Sequence, residues 1–391
     1  MKRNWEYKKL GDVASFRRGL TYAKDDVVNH SSKIVLRSNN INLETSSLNF
    51  DDVVCLRDDF VIPLDKLLRG GDIFICMSNG STQHLGKVAH VQENLNMAFG
   101  GFMGVIEPNE NLTYSRYVFY CCRSGAYRSY LNSIFNGANI NNLKWGDLSK
   151  FVIPVPPLSE QSRIVAELDL LTGIIDKQNA QLKELNSLAQ AIFYDMFGDP
   201  IENPKGWEVK KLGDVCSVVN GLVNPNEEPF CNYPHIGGAN IQSNTGVFVD
   251  VKLAKDEGLI SGKYLFDESM ILYSKIRPNL NKVALPSFKG ICSADMYPLI
   301  TNTDVANKYY IKFSITHKKF IEYAVSHSGR ANIPKINRDA LLAYDLPLPP
   351  LALQQSFAEK IQSIEKQKET FRASIADTQK LLDYTMDKYF G

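Results

Sequence analysis

The chain lacks the patterns that mark most metal, redox and membrane proteins. Its seven cysteines are an odd number without a C-x-x-C pair, and its six histidines show no metal-ligand spacing. We therefore interpret the cysteines as reduced packing residues. The first twelve residues have no apolar core of signal-peptide length, and no uncharged apolar run reaches the roughly 18 residues of a membrane span. We expect a cytoplasmic protein without a metal site.

Motifs for nucleotide and cofactor chemistry are also missing. The sequence contains no G-x-x-x-x-G-K-[ST] loop, no G-x-G-x-x-G turn and no Asn/Asp-Pro-Pro-aromatic run. The nearest nuclease-like feature is Asp199 followed by Glu208 and Lys210, which resembles the acidic pair and lysine of a Mg²⁺ site. The same E-x-K recurs at Glu6 and Lys8 without an upstream acid, so we favour a scaffold role. We expect no catalytic centre and no cofactor on this chain.

Net charge is small, at +1, although nucleic-acid binders usually carry a marked basic excess. The charge is nevertheless segregated along the chain. Residues 111–150 hold five basic side chains against one acid, and residues 301–340 hold seven against three. Residues 159–199 hold seven acids against three bases. This pattern favours some surfaces that meet phosphate and others that avoid it, although solvated faces remain an alternative.

An internal repeat is the strongest signal in the sequence. Residues 5–19 and 207–221 are identical at ten of fifteen positions, both opening on Trp-Glu and continuing K-K-L-G-D-V. At the other end of each copy, the run Pro154–Leu158 corresponds to Pro347–Leu351, at a spacing of 193 residues. The centres of the copies differ far more than their ends. Two similar scaffolds with divergent centres predict two modules that do the same job on different targets.

Each copy mixes two kinds of local pattern. Short β-rich runs such as 34–36, 72–76 and 104–106 alternate with Gly, Asn and Ser loops, and a helix is predicted near Tyr114 to Asn132. This combination predicts a compact α+β domain. The prolines between Pro154 and Pro157 predict a break in regular structure, after which Ser159 caps a long helix.

A heptad repeat follows each domain. Apolar residues recur at alternating steps of three and four over nearly 40 residues, which favours a coiled coil over a core helix. The predicted seam consists of Ile164, Leu168, Leu171, Ile175, Leu182, Leu185 and Ile192 in the first helix, and Phe357, Ile361, Ile364, Phe371, Ile375 and Leu382 in the second.

The chain order sets the expected topology. The first helix must deliver the chain to the second domain, and the second helix must pack back along the first, so the two run antiparallel. The predicted fold is α+β, with two similar domains related by pseudo-two-fold symmetry and separated by the two helices. Its segments are domain one at 1–157, a spacer helix at 158–198, domain two at 199–350 and a C-terminal helix at 351–391.

Three stretches resemble the specificity subunits of type I restriction-modification enzymes. They are the W-E-x-K-K-L-G-D-V opening, G-D-I-F-I-x-M-S-N-G-S at Gly71 to Ser81, and P-L-S-E-Q-x-R-I-V-A-E-L at Pro157 to Leu168. The second copy departs from the last of these at residues 351–355, where it reads L-A-L-Q-Q.

The resemblance covers essentially the whole chain and implies several properties. Each domain would read one half of a bipartite, asymmetric site in double-stranded DNA as a target-recognition domain. The helices would dock two methyltransferase subunits, which recruit ATP-dependent restriction and translocase subunits. S-adenosylmethionine, ATP and Mg²⁺ would then bind the partner subunits.

Side chains suited to base edges gather in predicted loops, because Asn and Gln pair with adenine and Arg and Lys with guanine. Many will instead contact phosphate or serve turn geometry. The candidates in domain one are Arg37, Asn39, Asn40, Asn79, Ser81, Gln83, Lys87, Asn139 and Asn141. Those in domain two are Lys275, Arg277, Asn279, Lys282, Arg330, Asn332 and Lys335.

Two other readings stay open at this point. One is an adaptor that only joins proteins through its coiled coil, although divergent domain centres beside matching ends argue against it. The other is a stand-alone DNA reader that works with a nuclease from a neighbouring gene.

Overall fold

The computed structural model describes residues 5–135, 142–329 and 333–391. The chain divides into two compact units. Unit 1 comprises Met1–Asn179 with Ala373–Gly391, and unit 2 comprises Ala180–Arg372. Each unit therefore combines one globular domain with parts of both long helices.

Unit 1 contains an α+β domain followed by a long helix. Its strands are β1 (Glu6–Lys9), β2 (Ala14–Arg18), β3 (Val27–Val28), β4 (Lys33–Leu36), β5 (Val54–Leu56), β6 (Ile73–Cys76), β7 (Val88–His90), β8 (Met97–Phe99), β9 (Met103–Pro108) and β10 (Val152–Val155). Its helices are α1 (Leu10–Val13), α2 (Ser115–Cys121), α3 (Gly125–Phe135), α4 (Trp145–Leu148) and the beginning of α5 (Leu158–Phe197).

Unit 2 repeats this order of elements closely. Its strands are β11 (Glu208–Lys211), β12 (Cys216–Val218), β13 (Pro234–Ile236), β14 (Lys252–Leu253), β15 (Tyr264–Phe266), β16 (Ile271–Ser274), β17 (Val283–Ala284), β18 (Gly290–Cys292), β19 (Met296–Thr301) and β20 (Asp345–Leu348). Its helices are α6 (Leu212–Val215), α7 (Lys308–Thr316), α8 (Lys318–Ser326), α9 (Arg338–Leu342) and the beginning of α10 (Leu351–Phe390), beside the end of α5.

One four-stranded sheet has the same topology in both units, and the second shares three strands but adds its fourth strand at opposite edges. Within the described residues, unit 1 holds four-stranded sheets in the orders β2-β9-β6-β7 and β3-β5-β4-β8. Unit 2 holds the corresponding sheets β12-β19-β16-β17 and β14-β13-β18-β15. Strands β4 and β8 pair in parallel, as do β13 and β18. The α+β class with two similar domains is confirmed.

The matching ends of the repeat are neighbours in space. In unit 1, β1 pairs antiparallel with β10, and in unit 2, β11 pairs with β20 in the same register. The expected break at the prolines is present at Pro156 and Pro157, between β10 and α5. It was wrong for Pro154, which lies inside β10 opposite Tyr7. A proline is tolerated in a two-stranded ribbon, where one side of the strand has no partner to receive an N–H. Its carbonyl accepts a hydrogen bond from the Tyr117 hydroxyl, at 2.9 Å.

A buried glutamine fixes the start of each long helix. Gln161 accepts a hydrogen bond from the Tyr114 amide at 3.0 Å and donates to the carbonyls of Leu112 and Pro156, at 2.9 and 2.8 Å. Gln354 repeats the arrangement with the amide of Asn307, at 2.9 Å. Both glutamines are fully buried. The P-P-L-x-x-Q motif therefore locks each helix to its own domain.

The two long helices run antiparallel within each unit. In unit 1, Gln178 donates to Ser374 at 2.7 Å, and the Tyr389 hydroxyl donates to Glu167 at 2.6 Å. In unit 2, the aromatic ring of Phe193 packs against that of Phe357, with centroids 5.7 Å apart. The predicted packing of the helices on each other is confirmed.

The predicted seam has a second role in the domain cores. Ile164, Leu168 and Leu382 are buried in the core of unit 1, with Leu171 and Ile175 packed against it. Phe357, Ile361 and Ile364 are buried in the core of unit 2, with Leu185 and Ile192 packed against it. Leu182, Phe371 and Ile375 are only half-buried. The seam is thus most deeply buried where a helix meets a globular domain.

The helix expected near Tyr114 to Asn132 is two helices, α2 and α3. Cys122, Arg123 and Ser124 separate them, and the Ser124 hydroxyl accepts a hydrogen bond from the Tyr127 amide at 3.1 Å. Among the described residues, no helix combines the length and the apolar character that a membrane crossing requires.

Candidate nucleic-acid interface

Three loops of domain one meet where the strands β4, β6 and β8 end. The Gly100 amide donates to the carbonyl of Leu36 at 2.9 Å, and the Met77 amide donates to the carbonyl of Phe102 at 2.9 Å. These bonds hold the loops together and leave a cleft of about 970 Å³ between them. The cleft is lined by Leu20, Thr21, Tyr22, Arg37, Ser38, Asn39, Asp52, Ser78, Asn79, Gly80, Gly100, Gly101, Phe102 and Met103.

The cleft brings together three of the predicted residues. Asn79 donates to the Ser38 hydroxyl at 2.9 Å, Asn39 donates to the Asp52 carboxylate at 2.6 Å, and the Arg37 guanidinium lies 3.3 Å from the same carboxylate. Asp52 therefore neutralises part of the positive charge at the rim. The remaining capacity of these amides is suited to hydrogen bonds with base edges.

Phe102 is the side chain of this cleft that sequence reasoning missed. It is 73% exposed, at the end of the turn that begins at Gly100. An exposed aromatic ring beside amides is suited to apolar contact with a thymine methyl group or to stacking on a base. The signal was the Gly100-Gly101 pair, because two glycines before an aromatic residue predict a tight turn that presents it.

Two other predicted residues of domain one have internal roles. Asn40 is fully buried, where it accepts a hydrogen bond from the Arg37 amide at 2.7 Å and donates to the Asp52 carbonyl at 2.9 Å. Lys87 is 7% exposed and donates to the Ile41 carbonyl at 2.8 Å. Burial lowers the pKa of the Lys87 ammonium. Both side chains build the 3-10 turn at Ser38–Asn40.

The neighbouring loop carries the rest of the predicted set in domain one. Ser81 and Gln83 are exposed, and the Ser81 amide donates to the Asn79 side chain at 3.0 Å. Asn139 and Asn141, also predicted, lie outside the described residues.

Domain two builds the corresponding edge on the same backbone. The Ser293 amide donates to the carbonyl of Ile236 at 2.9 Å, as Gly100 does to Leu36. Lys282 donates to the Gly238 carbonyl at 2.6 Å, so it stabilises the 3-10 turn as Lys87 does in domain one. The cleft is smaller here, at about 230 Å³. It is lined by Gly238, Ala239, Ser274, Ile276, Arg277, Leu280, Lys282 and Ile333.

The other candidates of domain two differ in how free their side chains are. Lys275 donates to the Ala294 carbonyl at 2.7 Å, so it is held internally. Arg277, Asn279 and Lys335 are exposed along this edge. The predicted Arg330 and Asn332 lie outside the described residues.

The nuclease-like residues of the repeat opening lie on a scaffold ribbon. Lys8 pairs with Glu6 at 3.4 Å on β1, and Lys210 pairs with Glu208 on β11. In the described part of the chain, no group of three His, Cys, Asp or Glu side chains is placed to hold a metal ion.

Comparison with known proteins relates the chain to a described family. The model of the "Type I restriction modification DNA specificity domain" matches residues 2–187 and again residues 204–376. The EcoKI specificity subunit of Escherichia coli K12 is 30% identical over 304 residues, which cover 74% of this chain and 63% of that subunit. The EcoDI specificity subunit of Escherichia coli is 27% identical over 262 residues, or 58% of each chain. The chain thus matches these two relatives over less than two thirds of their length.

Coverage is broader in other comparisons. The StySPI specificity subunit of Salmonella potsdam is 24% identical over 389 residues, which cover 92% of this chain and 82% of that subunit. The solved type I restriction-modification S subunit of M. genitalium has the same fold, with a TM-score of 0.61 at 12% identity, over 100% of this chain and 97% of that one. Because the family model matches both repeats, the chain belongs to the type I restriction-modification DNA specificity family.

Proposed function

We propose that this chain is a DNA-reading specificity subunit in which each domain reads one half of a bipartite, asymmetric site. One observation carries the proposal: both domains build the same loop edge on the same hydrogen-bonded scaffold and place different side chains on it. Domain one presents Asn79 and Phe102, and domain two presents Arg277 and Lys335. A repeated reader with different side chains would favour a different base sequence in each half-site.

The proposed partners would supply the methyl transfer and the ATP-dependent steps for which this sequence has no motif. The long helices α5 and α10 would dock two methyltransferase subunits, and restriction and translocase subunits would join that complex. S-adenosylmethionine, ATP and Mg²⁺ would bind those partners, and this chain would contribute no catalytic group. Because the proposed substrate is chromosomal and invading DNA, we place the complex in the cytoplasm.

Methylation mapping tests the proposal directly. Native DNA from a strain that carries this gene is sequenced by a long-read method that detects methyladenine, beside DNA from the same strain without the gene. We expect a split, asymmetric motif with an unspecified gap to lose methylation on deletion. An unchanged methylome, with the neighbouring methyltransferase expressed, would replace this proposal with the adaptor reading.

A domain exchange tests the modular part. Residues 20–137 are replaced by those of a relative, which leaves the ribbon of β1 and β10 and the Gln161 side chain in place. We expect one half of the methylated motif to change and the other to stay. A change in both halves would contradict the assignment of one half-site to each domain.

A further inference from the structure

The common backbone of the two domains pairs their loop residues position by position. The Met77 amide donates to the Phe102 carbonyl at 2.9 Å, and the Lys275 amide donates to the Asp295 carbonyl at 3.1 Å. Ser78 forms a bridge with Asn142, and Ile276 forms one with Lys335. The equivalent pairs at this edge are therefore Asn79 with Arg277, Phe102 with Asp295, and Asn142 with Lys335.

Arg277 stands out in this comparison because of its backbone. Its φ angle is +48°, in the left-handed region that arginine rarely adopts. The conformation is held by a hydrogen bond from its amide to the Pro334 carbonyl, at 2.7 Å, and by Pro278 as the next residue. A strained conformation that the surrounding structure enforces is a feature of functional sites. The result is an exposed arginine on a fixed backbone.

The guanidinium of Arg277 has no bonded partner in the part of the chain that the structure describes. Among the described residues it makes no hydrogen bond, ion pair or ring contact, whereas Lys275 and Lys282 are both bonded to backbone carbonyls. At the equivalent position in domain one, the Asn79 amide is bonded to Ser38, and the nearby cation Arg37 is paired with Asp52. Domain two thus presents a free planar donor where domain one presents a neutral amide.

The setting favours a base over a phosphate. The Asp295 side chain is 61% exposed at this edge, and its carboxylate lies 3.6 Å from the Lys275 ammonium. This ion pair adds no net positive charge that would attract a phosphate, while the carboxylate can still accept a hydrogen bond from a cytosine amino group. A guanidinium donates two parallel hydrogen bonds to O6 and N7 of guanine, and lysine cannot reproduce that fork.

We propose that Arg277 reads a guanine, so that the half-site of domain two contains a guanine whose recognition depends on this one side chain. The proposal rests on the proposed function. The equivalent position of domain one, Asn79, lacks a guanidinium and reads its half-site without that contact.

The test uses the whole complex with its methyltransferase partner. Arg277→Gly removes the guanidinium and suits the positive φ angle, so the loop keeps its backbone. Arg277→Lys keeps the charge and loses the fork. Lys252→Gln is the matched control, because it removes an exposed positive charge of the same domain from strand β14. Initial methylation rates are measured on plasmids that carry the wild-type motif and each single-base substitution of it.

We expect the Arg277→Gly complex to lose its preference for guanine at one position of one half-site. The loss should be about 5- to 150-fold, the range typical of one bidentate base contact. Arg277→Lys should show a partial loss at the same position, and Lys252→Gln should leave the motif unchanged. An equal loss on every substrate with an unchanged motif would identify a phosphate contact and overturn the proposal, as would an unchanged preference. Failure of the proposed function would be distinct, because the wild-type complex would then methylate no split motif.

Discussion

The buried glutamines at the helix starts give the sharpest test of how the units are held together. Replacing Gln161 by Leu keeps a side chain of similar size and removes three hydrogen bonds, with the amide of Tyr114 and the carbonyls of Leu112 and Pro156. These backbone groups would stay buried beneath the helix without their partner. The first turn of α5 would then lose its attachment to the loop before α2.

The magnitude follows from the three groups left without a partner. A buried backbone donor or acceptor without a hydrogen bond costs about 1–3 kcal/mol, and some relaxation toward water is expected. We therefore expect Gln161→Leu to lower the free energy of unfolding of unit 1 by about 3–6 kcal/mol. Gln354→Leu should have the same effect on unit 2, because Gln354 makes the equivalent bonds.

Urea unfolding followed by pulsed hydrogen exchange and mass spectrometry separates peptides of the two units. Gln355→Leu is the control, since Gln355 is exposed beside Gln354 in the first turn of α10 and such surface changes usually stay within about 0.5 kcal/mol. The reasoning would be refuted if Gln161→Leu shifted unit 1 by no more than this control. An equal effect of Gln161→Leu on both units would also contradict a local anchor.

Three further perturbations follow from burial. Phe357→Ala should destabilise unit 2 by about 3–5 kcal/mol because the ring is fully buried, whereas Phe371→Ala, half-buried on the same helix, should cost clearly less in the same urea titration. Burial, aided by the Arg116 charge, lowers the pKa of His90 from 6.5 to about 4, so unit 1 should be fully stable above pH 6.5 and lose up to about 3 kcal/mol as pH falls to 4. His90→Gln should abolish that pH dependence of the urea midpoint. Replacing Leu182 and Leu185 together with Asp places charge in the helix seam, so gel filtration should show no complex with the methyltransferase.

The repeat and the long helices followed from sequence because both depend on local, periodic patterns. Ten identical residues in fifteen identified two copies of one scaffold, and a heptad repeat over nearly 40 residues identified each helix. The structure adds the reason for the matching ends, since β1 and β10 pair with each other. The strand that contains Pro154 was not predicted. The sequence does not show that β10 pairs with β1 alone, so that no second neighbouring strand needs the N–H that proline lacks.

Which polar side chains are free could not follow from the sequence. Lys87 and Arg277 both lie in loops after a buried strand, and both suited a base-reading role by residue type. Long-range contacts separate them: Lys87 donates to the Ile41 carbonyl, 46 residues away, whereas Arg277 is exposed. Such a bond depends on which strands lie side by side, and residue type alone does not specify that.

The sequence by itself determined that the chain is a duplicated α+β domain with two long helices, because hydrophobic period and repetition are written directly in residue order. Only the tertiary structure decided that the helix ends belong to the domain cores and that Gln161 and Gln354 anchor them. It also decided that one loop edge brings together Asn39, Asn79 and Phe102 in domain one, and that the corresponding edge of domain two carries Arg277. The physical reason is that burial and hydrogen-bond partners are set by residues distant in sequence, which come together only when the sheets form.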